Sequence, residues 1–126
     1  MQGTIKWFDA KKGYGFITNS DGKDVFVHHS DIHMKEYRYF NEGDIVNFHV
    51  VIGDDGRERA INVKPILTLS MVVHELKKED LHLMRIGDDK GVRGWYVVDK
   101  SDKPVIDKEM NLVELAAYAG FDTENL

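Results

Sequence analysis

Hydrophobic and polar residues alternate in short runs along the first half of the chain, and turn residues separate the runs. A period of two is typical of half-buried strands, and glycine, aspartate and asparagine between the runs permit the positive φ angles of tight turns. The pattern predicts five strands, over residues 3–8, 15–18, 24–28, 45–52 and 59–63. Five short strands in about sixty residues indicate a small closed barrel. Its core is expected to contain Ile5, Ile17, Val25, Val27, Val46 and Val50.

The pattern changes after Pro65. A proline cannot donate a hydrogen bond to a neighbouring strand, so we place a domain boundary there and expect domains of residues 1–65 and 66–126. The second domain begins with a β-branched and apolar stretch, 67–76, and is predicted to be a small β-meander with strands at 81–86, 93–98 and 104–106.

One helix is predicted near the end of the second domain, at about residues 111–119. Asn111 and Glu114 have the spacing of a capping box, and Gly120 supplies a stop signal. The predicted fold class is therefore mainly β, a five-stranded barrel followed by a small β-rich domain with one helix.

Composition narrows the functional classes. The chain has 126 residues and no cysteine, which excludes disulfides, thiolate metal sites and a cysteine nucleophile. No apolar run reaches the roughly 18 residues of a membrane span, and the N-terminus lacks a signal-peptide pattern, so a cytoplasmic protein without membrane association is expected.

Charge and aromatic residues are distributed unequally. Residues 1–66 carry 9 basic and 10 acidic side chains (net −1), whereas residues 67–126 carry 8 basic and 12 acidic ones (net −4). Nine of the thirteen Phe, Trp and Tyr residues lie in the first 66 residues. The second domain is therefore not expected to approach phosphate, since like charges repel.

Aromatic side chains are predicted to gather on the outer face of the barrel. Alternation places Tyr14 and Phe16 on one face of a strand, and it places Phe26 and His28 on the same face of the next strand. Exposed rings on adjacent strands are costly unless a flat apolar group stacks on them, and a nucleic-acid base has such a π-face. The pattern therefore predicts a platform for single-stranded nucleic acid. Trp7 and Tyr37 are expected to extend it, and Lys6, Lys12 and Arg38 to lie near phosphates.

Four separated motifs carry a family resemblance: GTIKWF at 3–8, KGYGFI at 12–17, DVFVH at 24–28 and AINV at 60–63. With these motifs in register, the chain resembles the bacterial cold-shock proteins over residues 2–64. The resemblance implies an OB-type barrel that binds single-stranded RNA and DNA, with a preference for pyrimidine-rich strands, and that acts as an RNA chaperone without ATP. It also implies ribonucleoprotein motifs at 12–17 and 25–28, with further base-contacting positions at Lys6, Trp7, Asp24 and Tyr37.

The chain departs from the family pattern at His29, where a second aromatic residue usually follows the histidine. A smaller ring predicts weaker stacking, and because a histidine can take up a proton near neutral pH, binding is expected to rise modestly as the pH falls. Phe8 is a candidate for either the platform or the core. The predicted binding residues are Lys6, Trp7, Phe8, Lys12, Tyr14, Phe16, Asp24, Phe26, His28, His29 and Tyr37.

No catalytic residue, metal or cofactor is predicted. His28, His29 and His33 lack a further ligand at a supporting spacing, and the aspartates of the second domain lie in or beside predicted turns. A domain of about sixty residues is marginal alone, so we expect residues 66–126 to bury a surface, with homodimerisation as one route. The alternative function is an RNA-binding adaptor whose acidic second domain recruits a protein of the transcription or translation machinery.

Overall fold

The structure, a computed structural model, describes residues 1–34 and 40–126. The chain forms two compact units, Met1–Thr68 and Leu69–Leu126, called here the barrel unit and the C-terminal unit. The predicted fold class is confirmed: a closed five-stranded barrel is followed by a smaller part that contains a two-stranded sheet.

All five strands predicted for the barrel are present. Their order around the barrel is β1-β2-β3-β5-β4, and neighbours pair antiparallel except at the closure, where β3 and β5 pair in parallel. The strands are β1 (Gln2–Asp9), β2 (Tyr14–Asn19), β3 (Asp24–His28), β4 (Ile45–Ile52) and β5 (Glu58–Leu67).

The barrel core consists of the inward positions of these strands. Five of its six predicted members are at most 1% exposed, and the sixth, Val50, is half-buried and packs against them. The other buried members of this cluster, each at most 3% exposed, are Ile32, Phe40, Phe48, Ala60 and Val63. Because the inner face buries nearly every apolar side chain that alternation places there, the barrel registers are strongly specified.

A β-bulge interrupts the alternation of β1. Ile5 pairs with Ile17 and Trp7 pairs with Phe16, so Lys6 is the extra residue. Strict alternation would place Trp7 on the inner face with Ile5. The bulge instead turns Trp7 outward and leaves Phe8 packed against the core.

The fifth strand continues through Pro65, to Leu67, rather than ending before it. Pro65 pairs with Val46 of β4. The last pairing of β5 on its other side is the bridge between Val63 and Ile32, as far as the described residues show. Pro65 therefore lies at a position with a partner strand on one side only, where a missing N–H is tolerated.

The C-terminal unit contains a β-hairpin and two helices. Strands β6 (His82–Asp88) and β7 (Gly91–Val98) pair antiparallel, as predicted. The third strand predicted there, 104–106, forms only a bridge from Pro104 to Val98 and a hydrogen bond from the Val105 N–H to the Val97 carbonyl.

The predicted helix α2 (Leu112–Tyr118) is present with its capping box. The Asn111 side chain accepts the Glu114 N–H at 2.9 Å, and the Glu114 carboxylate accepts the Asn111 N–H at 3.2 Å. The Lys108 ammonium beside the Glu114 carboxylate, 2.7 Å away, lowers the pKa of that group from its ordinary value, and the Asn111 N–H lowers it further.

A second helix, α1 (Leu69–Lys77), occupies the stretch that the sequence pattern assigned to the β-meander. Val72 and Leu76, four residues apart on one helical face, are both buried. The β-branched residues of this stretch favour a strand locally, but propensity yields to tertiary burial of an amphipathic face. No helix within the described ranges is long and apolar enough to cross a membrane.

Candidate nucleic-acid interface

Three aromatic side chains lie in register across the outer face of the barrel. Trp7 pairs with Phe16, and Phe16 pairs with Phe26, so β1, β2 and β3 each contribute one ring to the same row. The ring centroids of Trp7 and Phe16 are 5.4 Å apart, and those of Phe16 and Phe26 are 5.8 Å apart. These separations fall in the range of favourable aromatic pairs, which hold the rings at fixed orientations.

Tyr14 joins this row to a second one. Its ring lies 5.5 Å from Trp7 and 5.9 Å from Phe26, and its strand partner on β3 is His28. The rings of His28 and His29 are 4.3 Å apart. We call these six side chains the aromatic platform: Trp7, Tyr14, Phe16, Phe26, His28 and His29.

The platform stays accessible although its rings touch one another. Trp7 is 39% exposed, His29 is exposed, and the other four members are half-buried. Their strand neighbours Gly15, Ile17, Val25 and Val27 point inward and are buried. Burial of the opposite face of the strands thus anchors them, while part of each platform side chain stays exposed to solvent.

Two glycines allow the backbone and rings to approach closely at this surface. A Cβ on Gly15 would lie 2.3 Å from the Trp7 carbonyl oxygen and 2.8 Å from the Phe8 ring. A Cβ on Gly13 would lie 2.4 Å from the His29 ring, and Gly13 has a positive φ of 77°. Gly15 therefore allows the close spacing of β1 and β2, and Gly13 allows the His29 ring to approach the backbone.

Lys6 and Asp24 form an ion pair across the outer face, with 2.7 Å between Nζ and Oδ2. The Thr18 hydroxyl donates to the other carboxylate oxygen at 3.1 Å. The hydrogen bond from Lys6 is the largest cause that lowers the pKa of the Asp24 carboxyl below its ordinary value; desolvation opposes it, and the hydrogen bond from Thr18 adds to it. Asp24 thereby holds the Lys6 ammonium over the three strands that carry the platform.

The remaining predicted residues fall in different places. Lys12 is exposed in the turn after β1, where its N–H donates to the Asp9 side chain at 3.0 Å. Phe8 lies with the core, and its ring is 6.4 Å from that of Phe40. Tyr37 and Arg38 lie outside the described residues.

A groove of about 760 Å³ borders the platform. It is lined by Phe16 and Phe26 and by residues of the turn between β4 and β5, which carry side chains of both charges. Arg59 extends the ring row, because it pairs with Phe26 across the barrel closure. Its Nε lies 3.6 Å from the Asp31 carboxylate. The charged residues lining the groove are Asp24, Asp54, Asp55, Arg57, Glu58 and Arg59.

Arg59 and Thr18 were not among the residues predicted from the sequence. Alternation with the buried Ala60 could have placed Arg59 on the outer face, but its position beside Phe26 depends on the long-range closure of the barrel. For Thr18, alternation indicates the same face as Phe16, yet its bond to Asp24 depends on the pairing of β2 with β3. Within residues 1–34 and 40–126, no group of three or more His, Asp or Glu side chains is placed to hold a metal ion.

Comparison with known proteins identifies the barrel. The family model described as the "'Cold-shock' DNA-binding domain" matches residues 1–66. A cold shock-like protein of Thermotoga maritima is 50% identical over 60 residues, which are 48% of this chain and 91% of that protein. The cold shock-like protein CspC of Bacillus cereus is 50% identical over 64 residues, which are 51% of this chain and 98% of CspC.

A plant relative carries a similar segment within a much longer protein. Glycine-rich protein 2 of Nicotiana sylvestris is 49% identical over 63 residues, which are 49% of this chain and 29% of that protein. In all three relatives the similar segment corresponds in length to the barrel unit.

Proposed function

The chain belongs to the cold-shock domain family through residues 1–66, and from this premise we propose that it is an RNA chaperone that stacks single-stranded bases on the aromatic platform without ATP. Nucleic-acid binding of the cold-shock type follows from the family. The proposal adds the ligand, single-stranded RNA or DNA rich in pyrimidines, and the residues that hold it.

The observation that carries the proposal is the ring row of Trp7, Phe16 and Phe26. Its rings are held by their neighbours at 5.4 and 5.8 Å, and each keeps some surface open to solvent. Stacking is worth about 1–3 kcal/mol per base and is tolerant of sequence, because every base has a π-face. A duplex buries these faces, so a stacking surface favours the single strand and thereby melts weak structure.

The test is a fluorescence anisotropy titration of the full chain with a labelled pyrimidine-rich strand. Phe16→Ala with Phe26→Ala removes two rings and should weaken binding by roughly 30-fold or more, from about 1–3 kcal/mol per stacked base. Tyr118→Ala is the matched control, because Tyr118 is 40% exposed and lies in the C-terminal unit. Equal affinity of both variants would remove the platform from the proposal.

Chaperone activity requires a separate measurement. A hairpin labelled with a fluorophore and a quencher should open when the protein is added without ATP, and it should stay closed with the double variant. The RNA should be recovered intact, since we infer binding without turnover. Opening that requires ATP, or cleaved RNA, would contradict this part of the proposal.

His29 offers a test at one position of the platform. Its ring packs over Gly13 and is exposed beside His28, so a larger ring there has room toward solvent. His29→Phe should tighten binding and flatten its pH dependence, because phenylalanine stacks over a larger area and takes up no proton. Unchanged affinity at both pH 6 and pH 8 would place His29 outside the binding site.

A second candidate function is that of an adaptor, in which the barrel holds RNA and the C-terminal unit recruits a protein of the transcription or translation machinery. It is favoured by one observation: residues Leu69–Leu126 form a compact unit outside the 1–66 family match. Affinity capture with full-length protein and with an Arg85→Glu, Tyr118→Ala surface variant tests it. A specific protein retained by the first and lost by the second would support the adaptor, whereas equal retention would not.

A further inference from the structure

The C-terminal unit contains a sheet with one open edge. Strand β6 pairs with β7 on one side. The other side of β7 is covered, because the Trp95 N–H and carbonyl both bond to Met110, and the Val97 carbonyl accepts the Val105 N–H. The free edge of this sheet is therefore the outer side of β6.

The pairing of β7 identifies which groups of β6 point outward. In an antiparallel ladder, the N–H and C=O of one residue point to the same side, and successive residues alternate. Trp95 and Val97 point away from β6, so their partners Arg85 and Leu83 form non-hydrogen-bonded pairs with them. The N–H and C=O groups of Leu83 and Arg85 must then point to the free edge. Among the described residues they have no backbone partner.

The side chains along this edge are also incompletely covered. Met84 is 41% exposed and lies opposite the half-buried Tyr96. Leu83 is half-buried on the other face of the sheet. An uncovered strand edge with an exposed apolar side chain is a surface that pairs readily with another strand.

We propose that β6 pairs antiparallel with β6 of a second copy of this chain, about a two-fold axis at Met84. The axis brings Leu83 opposite Arg85 of the partner subunit, and each of the two symmetry-related pairs exchanges both backbone hydrogen bonds. Met84 lies opposite the partner's Met84. An apolar row then runs continuously from Tyr96 through both methionines to the partner's Tyr96.

Charge and strand length select this register. An axis at Arg85 would place two guanidinium groups directly opposite each other, which is destabilising. An axis at Leu83 would extend the pairing beyond His82, where β6 begins. The axis at Met84 avoids the like-charged pair and keeps five residues of each strand, 82–86, in register.

The contact is small, and residues 67–126 carry a net charge of −4 in each copy. We therefore expect a weak and reversible dimer, since so small a contact falls below the size of stable interfaces. Association should strengthen as salt screens the repulsion between the two acidic units. A dimer would join two barrels, whereas the proposed function requires only one.

Sedimentation of the full chain tests the dimer without nucleic acid. The wild type should approach twice 14.5 kDa as its concentration rises. Arg85→Pro removes an N–H that the fold does not use and should leave a folded monomer, whereas Arg85→Ala keeps the N–H and should still dimerise. Circular dichroism verifies that both variants fold. A wild type that is still monomeric at about 1 mM, where even a millimolar Kd leaves half of the chain in dimers, would overturn the proposal.

Single cysteines test the register, since the chain has none of its own. In a non-hydrogen-bonded antiparallel pair the Cα atoms are about 4.5 Å apart, within disulfide range. Met84→Cys should therefore cross-link to its own copy under mild oxidation. Arg85→Cys is the control, because Arg85 would oppose Leu83 of the partner subunit and should cross-link at least tenfold more slowly. Equal rates would refute the Met84 axis.

Dimerisation also predicts a dependence on strand length, and this prediction rests on the proposed function. A strand long enough to span two barrels should bind the wild type more tightly than Arg85→Pro, with no difference for a short strand. Sedimentation reports the dimer even if nucleic acid does not bind. The failure of either proposal can therefore be recognised separately.

Discussion

The barrel unit and the C-terminal unit are similar in length but differ in how the backbone hydrogen-bonding groups of their strands are paired. The barrel closes on itself, so every strand has two neighbours, and its inner face is filled mostly by apolar side chains at most 8% exposed. The C-terminal unit has a two-stranded sheet with one open edge, supported by two short helices. A closed sheet can devote its outer face to a ligand, whereas an open sheet leaves an edge that another chain can use.

The sharpest test of the barrel separates the two faces of one strand. Ile17 is fully buried and Phe16, its neighbour, lies on the platform. Ile17→Ala should lower the free energy of unfolding by about 2–5 kcal/mol. Phe16→Ala should cost less stability but should weaken strand binding by about 1–3 kcal/mol. Urea unfolding and anisotropy measure both quantities. Equal losses of stability would mean that the platform is part of the core.

A smaller effect on the free energy of unfolding is expected at Gly15, where the backbone of β2 approaches β1. Gly15→Ala places a methyl group against the Trp7 carbonyl, so the strands must separate, at a cost of about 1–3 kcal/mol. Binding should also weaken, because Trp7 shifts.

Gly22→Ala is the matched control for this position. A Cβ there meets no atom within 4 Å, but φ is 79°, so the strain costs about 1 kcal/mol and binding should be unaffected. If Gly15→Ala binds as tightly as Gly22→Ala, the close approach of β1 and β2 does not position Trp7.

In the C-terminal unit, removing the N-cap of α2 should lower the free energy of unfolding by about 1 kcal/mol. Asn111→Ala removes the acceptor for the Glu114 N–H, whereas Asn111→Asp keeps one. Amide hydrogen exchange should be faster at Trp95, whose N–H donates to the Met110 carbonyl beside the cap, in the alanine variant only. Exchange at Val25, in the barrel, should remain unchanged. Faster exchange at both residues would show that the two units unfold together.

The smallest expected effect concerns the exposed ion pair at the platform. Lys6→Ala removes the strongest cause of the low Asp24 pKa, so that pKa should rise toward its ordinary value in a carboxyl NMR titration. Lys12→Ala, in the turn after β1, should leave it unchanged. A pKa that is the same in both variants would mean that Lys6 does not hold Asp24 in solution.

The sign of the pH effect follows from this shift. A carboxyl whose pKa is lowered in the folded state stabilises the fold at pH values above its unfolded pKa, and the contribution is lost as the pH falls through the folded pKa. The acid limb of barrel stability should therefore be shallower in Lys6→Ala than in the wild type. The effect is small because both side chains are exposed to solvent.

The amino-acid sequence by itself determined the five barrel strands, the inner set from Ile5 to Val46, and the outward direction of Tyr14, Phe16, Phe26 and His28. It also determined the N-cap of α2, Asn111. These features depend on periodicity and on capping within a few residues, so local pattern suffices to predict them.

Only the tertiary structure decided the features that depend on distant partners. The bulge at Lys6 turns Trp7 outward and Phe8 inward, because β1 must follow the register of β2. Barrel closure brings Arg59 beside Phe26. Burial of Val72 and Leu76 makes a helix of a stretch with strand propensity. The open edge of β6 emerges only once β7 is paired on both sides, since an unpaired strand edge is a property of the assembled sheet and has no local signature in the sequence.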